Sequence, residues 1–401
     1  MIASVAFALL VLPQAGLSQQ RDVPDGLNAI VAYQQAAAIL RQEPLWSIQR
    51  SIQRSYEIYD LESRRMLLPR IARVHGAVRV GNKRPYALTR LDPNVDLSGF
   101  SDYSNYKEVA MALVSYAQVL MADGNTNKAF EVLMDVDVMA DRIGVSATLL
   151  PYYVGNAMHS ISRWGINSNL QRMSLPAAEY ILANVTPPES HNDDMKSVII
   201  RESQYGRAKS LALLSTMYTS RADFITDLTD EFGRPPTSQE VDTALREFEE
   251  MKSALQRPNP RIQELAAVID MPESEWWQAS SWIADSANDE NSIDDNEINL
   301  TSQFYQILVR NRAITRLLRL HAHITRYYWL NGRLPVDLGQ LDQNADATDP
   351  LTGEFFKYEI RGEKYDLYSL GTGSSGPIAL VRGPNSGFPI SPDDPSVREE
   401  N

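Results

Sequence analysis

The chain has 401 residues and carries 38 Lys and Arg against 51 Asp and Glu, a formal net charge of −13. That balance disfavours a protein whose main partner is a phosphate backbone, because such binding rests on clustered Lys and Arg. Cys is absent, which removes disulfides, thiolate zinc sites, thiol nucleophiles and a lipoprotein cysteine, while 43% hydrophobic and 22% charged residues fit a globular protein with a buried core.

Ile2–Leu12 is an almost unbroken apolar run, the length of a signal-peptide core and too short for a bilayer span of roughly 20 residues. Pro13 breaks it, and small residues follow up to Ser18. Residues 1–18 therefore read as a signal peptide or N-terminal anchor, with export to a bacterial envelope compartment as the expectation. Against this, no Lys or Arg precedes Arg21, and a short buried helix is the competing reading. Any membrane attachment is expected only through an uncleaved N-terminal segment.

Residues 26–285 read as a helical body. Leu27, Ile30, Val31, Ala38 and Ile39 recur at helical spacing over Leu27–Arg41. The tandem Ser47-Ile48-Gln49-Arg50 and Ser51-Ile52-Gln53-Arg54 stacks like side chains one turn apart. Gly81–Phe100, with Pro85, Pro93, Asn94 and Gly99, reads as a loop holding a short strand at Tyr86–Leu88. Tyr106–Ala122 and Lys128–Ile143, joined at Asp123-Gly124-Asn125, form the clearest hairpin. Ala117 and Ala129 are its close-contact residues, placed as in a tetratricopeptide hairpin. Further helices are expected at Thr148–Trp164, Leu175–Ala183 and Asp193–Tyr218. Thr237-Ser238-Gln239-Glu240 has the pattern of a capping box, and Asp242 with Arg246 that of an i,i+4 pair. The fold class expected is mainly α: an antiparallel, TPR-like helical body with a small C-terminal α+β module.

Trp276, Trp277 and Trp282 cluster at the end of the body. Such a cluster closes a core, forms a docking patch, or meets a ligand or membrane. Residues 286–300, which take in most of the strongly acidic stretch Asp285–Glu297, read as a solvated linker. As a calcium loop the segment lacks the central Gly of an EF-hand. Arg312, Arg316, Arg319, His323 and Arg326 follow on one stripe of a helix expected over Ser302–Leu330. The acidic linker is expected to fold back on them, and the Trp residues with Arg312, Arg316 and Arg319 make a candidate docking surface. His321 and His323 diverge by about 200° on a helix and cannot share a metal there. No metal or cofactor site is assigned. Gly371-Thr372-Gly373-Ser374-Ser375-Gly376 spells a dinucleotide fingerprint, but a strand-like Pro377–Val381 follows where a helix is required. It reads as a Gly-rich turn.

Residues 301–382 form the C-terminal module. The long helix stops at Asn331-Gly332, with Pro335 beyond. Phe356, Tyr358 and Ile360 alternate with charged residues in one strand, and Tyr365–Leu370 forms the next. The strings YYWLNGRLP and DPLTGEFFKYEIRGEKYDLYSLGTGSSG resemble the C-terminal part of type II secretion major pseudopilins. Asp349, Pro350, Gly353, Tyr358, Tyr365, Tyr368 and Gly371 carry that resemblance. The same ending, behind a helical body of this length, resembles large exported planctomycete-type proteins of uncharacterised function. Pseudopilins begin with their hydrophobic stem, whereas the corresponding helix here is internal and polar on one face. Their terminal loop usually carries calcium-binding acidic residues, whereas Thr372–Ser375 has no carboxylate. Residues 383–401 are Pro-rich and acidic and read as a disordered tail.

No nucleophile–base set, HExxH, P-loop or GxSxG element occurs in the sequence. The expected function is therefore an exported, non-enzymatic scaffold with a protein partner in the envelope. The resemblance implies an alternative, an accessory part of a secretion or pilus-like machine. A glycan or peptide hydrolase using paired carboxylates is the third reading.

Overall fold

The computed structural model describes residues 24–42, 61–85, 99–144, 149–187, 192–217, 221–285, 293–341, 344–362 and 364–371. The expected signal segment, the tandem SIQR repeat, the strand at 86–88, the Gly-rich turn beyond Gly371 and the tail lie outside them. The described chain is mainly helical with one small antiparallel sheet.

The body begins with α1 (Ala29–Arg41), capped by Asn28, whose side chain accepts the Ile30 N–H at 3.1 Å. Then come α2 (Leu61–Asn82), α3 (Gly99–Ala122), α4 (Thr126–Gly144) and α5 (Leu149–Asn167). Each of these packs on the next, and α4 with α5 shares the most extensive contact. The α3–α4 joint is built by Gly124 at φ 78°. Asn125 N–H donates to Leu120 O at 2.7 Å and Gly124 N–H to Met121 O at 3.1 Å, the paired bonds of a Schellman stop. Ala117 and Ala129 are buried, as the hairpin reading requires.

Next are α6 (Leu175–Asn184), α7 (Asn192–Met217), α8 (Arg221–Phe232), α9 (Ser238–Gln256) and α10 (Pro260–Ala267). The Thr237/Glu240 capping box is formed in both directions. Arg246 pairs with Glu250 at 3.9 Å, not with Asp242 as the spacing had indicated; both carboxylates lie one helical turn from it, so spacing alone cannot choose.

After α11 (Trp276–Asp285) comes α12 (Ile293–Asn331), a rod of 39 residues. Its start corrects the expected linker boundary at residue 300. Ile298, inside the stretch that read as a linker, is fully buried. The acidic run is thus partly a helix start. Gly332, at φ 67°, ends the rod, its N–H donating to Tyr328 O at 2.9 Å.

The short α13 (Asn344–Ala347) leads to β1 (Lys357–Arg361) and β2 (Lys364–Tyr368), paired in the register Lys357↔Tyr368 and Ile360↔Tyr365. Tyr365 and Leu367 turn inward. Phe356 is buried and Tyr358 half-buried, but Ile360, expected on the same inner face, sits at the hairpin tip and is exposed. One hydrophobic core runs from Ala29 through α12 to Leu367, so the β-hairpin and α12 share an interior with most of the preceding helices. A second, separate core holds the end of α7 with α8 and α9. No helix of the described residues is long and apolar enough to cross a membrane.

Candidate functional site

The tryptophans divide. Trp276 is fully buried and donates its indole N–H to Met271 O at 2.9 Å, whereas Trp282 is 71% exposed. Trp277 is half-buried. Arg312, Arg316 and Arg319 are buried and do not form an outer surface, which corrects their assignment to a docking face. The reason is charge pairing inside the fold. Glu273 lies just ahead of α11 and takes Arg312 on one oxygen and Arg316, at 2.6 Å, on the other. Arg312 also donates to Asn192 Oδ1, and Arg316 to Thr348 O at 3.0 Å. Arg319 Nε donates to both Asp346 oxygens at 2.9–3.0 Å, and its Nη1 donates to Val185 O at 2.6 Å. The carboxylates seen answering the stripe therefore come from Glu273 and Asp346. His323 lies on the Asp346 side of α12, 3.5 Å from that carboxylate, while His321 shares a hydrogen bond with Tyr365. The two histidines diverge as helix geometry requires.

Several of the residues singled out between Asp349 and Gly371 hold the end of the described chain together. Asp349 is buried; its Oδ1 accepts the Leu351 N–H at 3.0 Å and its Oδ2 accepts the Ser369 hydroxyl at 2.6 Å. This joins the Asp349-Pro350 turn to the end of β2. Gly353, at φ 76°, closes the turn against Ser274. Tyr358 donates to Pro335 O at 3.0 Å, and Tyr368 to Glu359 at 3.1 Å. Gly371, at φ 71°, follows β2, and its N–H reaches Ser369 Oγ at 2.9 Å. Burial lowers the His321 pKa to about 3 and pushes Tyr365 well up, so their shared bond joins two neutral groups at neutral pH.

Among the described residues, two places stand out as open to a partner or ligand. The first is the outer end of α12. Trp329 and Leu330 are 56% and 60% exposed, and Tyr328 and Val336 beside them are also exposed. The Trp329 indole N–H donates to Met173 O at 3.3 Å, which holds the ring in place while leaving much of it in solvent.

The second is a cleft of about 70 Å³ between α4, α5, α7 and α12. Close approach of α4 and α5 creates its floor. A Cβ on Gly155 would come within 2.5 Å of Ala140 O and 3.0 Å of Gly144 Cα, so only glycine fits there. The approach brings His159 between two carboxylates: Nδ1 lies 2.7 Å from Asp137 Oδ1 and Nε2 3.0 Å from Asp141 Oδ1. Arg163 Nε donates to the same Asp137 oxygen at 3.2 Å. Burial opposes charge on both partners, but ion pairing wins. Arg163 and His159 hold Asp137 at about 2, and Asp137 foremost, with Asp141, raises His159 to about 9. Tyr152 and Asn311 face them across the cleft, Asn311 Nδ2 donating to the Tyr152 hydroxyl oxygen at 3.0 Å.

Sequence reasoning passed over this cluster because its histidine stood alone. A signal existed: Asp137 and Asp141 are four apart on one helix, His159 and Arg163 four apart on the next. Two acids facing two bases at equal spacing is what an antiparallel pair can match.

Among the described residues no group of three or more His, Asp or Glu is arranged to hold a metal ion. Neither a protein-family model, nor a curated protein, nor a solved structure matches the chain.

Proposed function

We propose that the chain is an exported, non-enzymatic interaction protein of the bacterial envelope. Its body is read as stacked, tetratricopeptide-like hairpins, and residues 301–382 as a pseudopilin-like module that presents a docking surface. The observation that carries this reading is the exposed apolar end of α12, formed by Tyr328, Trp329, Leu330 and Val336. Fixed aromatic surface of this kind supplies contact area at low entropic cost and marks interaction sites. Export is supported by the apolar run Ile2–Leu12.

The ionic cluster is poorly suited to serve as the carboxylate pair of a hydrolase. A glycosidase acid needs a raised carboxyl pKa, and the Asp137 carboxyl is held at about 2. A general base needs a pKa near neutrality, and His159 stays an imidazolium up to about 9.

The test is photo-crosslinking in cells through an unnatural amino acid at position 330, with position 246 on the exposed face of α9 as control. A single envelope protein crosslinked from position 330 alone, and lost in Trp329→Ala, is expected. Equal recovery from both positions, or none from 330, overturns the reading. A secretion-machine component as the captured protein moves the assignment to the accessory role.

A further inference from the structure

We propose that the cleft between α4, α5, α7 and α12 binds a small aliphatic monocarboxylate. The proposal is independent of the docking surface on α12.

Arg163 carries the argument. Its side chain is 6% exposed and lines the cleft. Nε is committed to Asp137, while Nη1 and Nη2 have no protein partner among the described residues. Neither terminal nitrogen is sealed off, so both are open to the cleft that Arg163 lines, with no protein group among the described residues answering them. That end of an arginine matches a carboxylate with two parallel hydrogen bonds. Tyr152 supplies a further donor. Its oxygen already accepts from Asn311, so its own proton is available, and burial foremost raises its pKa to about 12 and keeps that proton in place.

Charge selects the ligand's valence. Along the cleft His159 and Arg163 answer Asp137 and Asp141. A ligand with a single negative charge can pair with the free end of Arg163 at little cost from the neighbouring acids. A phosphate dianion meets Asp141 on the same wall with twice the charge, and an ammonium is repelled by Arg163 and by the charged His159.

Shape selects the body. A volume of about 70 Å³ exceeds the roughly 10–15 Å³ needed for one water and suits a ligand of a few heavy atoms. Gly144, Met195 and Leu308 give the cleft an apolar side, which suits a short alkyl chain better than a hydroxylated one.

The experiment is calorimetric titration of the full-length protein with butyrate, inorganic phosphate and butylamine at neutral pH. Butyrate is expected to saturate with a Kd on the order of 1 mM, with phosphate and butylamine at least about tenfold weaker. Two variants locate the site. Arg163→Met removes the carboxylate partner. Asn156→Phe fills the cleft from a half-buried position whose side chain makes no hydrogen bond among the described residues. Both are expected to weaken butyrate about tenfold or more. If Arg163→Met fails to fold by circular dichroism, the folded Asn156→Phe decides alone. No saturation by butyrate, phosphate binding as tightly as butyrate, or unchanged butyrate affinity in folded Asn156→Phe would each overturn the proposal.

Discussion

The Arg312 guanidinium lies over the ring of Trp276, its central carbon 4.4 Å from the ring centroid. The aromatic face and the Glu273 carboxylate together enclose a cation that water barely reaches. Two tryptophans six residues apart thus have different fates. Trp276→Ala opens a large cavity and strips the cation of one face; it is expected to cost about 3–5 kcal/mol. Trp282→Ala is expected to change stability by no more than about 0.5 kcal/mol. Urea denaturation of both variants checks the contrast; equal losses would place both rings in the same environment.

Arg319→Glu places like charges together at Asp346 in a buried site and is expected to cost roughly 3–5 kcal/mol. Burial keeps mobile ions away, so the loss is expected to be the same at about 0.05 M and about 0.5 M salt. A loss that shrank markedly with salt would mean that the arginine faces solvent.

The His159 ion pairs give a pH dependence with a defined sign. The folded-state pKa of about 9 lies above the ordinary 6.5. The stabilisation is therefore complete below about pH 6.5 and is lost as pH rises through about 9. Asp137, held at about 2 against an ordinary 3.8, contributes above about pH 4 and is lost as pH falls through about 2. Between pH 6 and 9 the wild type is expected to lose on the order of 2 kcal/mol from this cluster. His159→Gln is expected to flatten that decline. An unchanged slope in the variant would assign the pH dependence to other groups.

Two glycines, both inside helices, should respond oppositely to alanine. At Gly155 the added Cβ meets Ala140 O and Gly144 with no flexible atom to yield. Gly155→Ala is expected to force α4 from α5 and cost about 2 kcal/mol or more. Gly206 has nothing within 4 Å of the added Cβ. There Gly206→Ala is expected to stabilise by about 0.5–1 kcal/mol, by reducing the freedom of the unfolded chain. Thermal melts of both variants read the signs directly.

Local signals in the sequence translated well. The Thr237/Glu240 box, the Gly124 turn and the Gly332 stop depend on residues within one helical turn, and all three formed. The hairpin was legible because alternation and turn residues encode it nearby. The beginning of α12 was not, because carboxylates that look like a solvated linker also suit a helix N-terminus. The arginine stripe was visible, but its partners were not. Glu273 lies 39 residues from Arg312 and 43 from Arg316, and Asp346 lies 27 from Arg319. No periodicity relates positions so far apart. The cleft was hidden for the same reason, since its lining comes from segments separated by more than 100 residues.

The second core, formed by Leu214, Phe224, Leu228, Val241, Ala244, Phe248 and Leu255, is not continuous with the first. Its helices can open while the interior running from Ala29 to Leu367 stays shut. Among the described residues a cooperative seam therefore falls around residues 211–255. It does not fall between α11 and α12, which share the first core. Amide protons of α8 and α9 should exchange with solvent first, while those of α12 and β2 exchange together with the α3–α5 stack. Within the described helices, an endoprotease acting on the native protein would accordingly reach α8 and α9 before the α3–α5 stack.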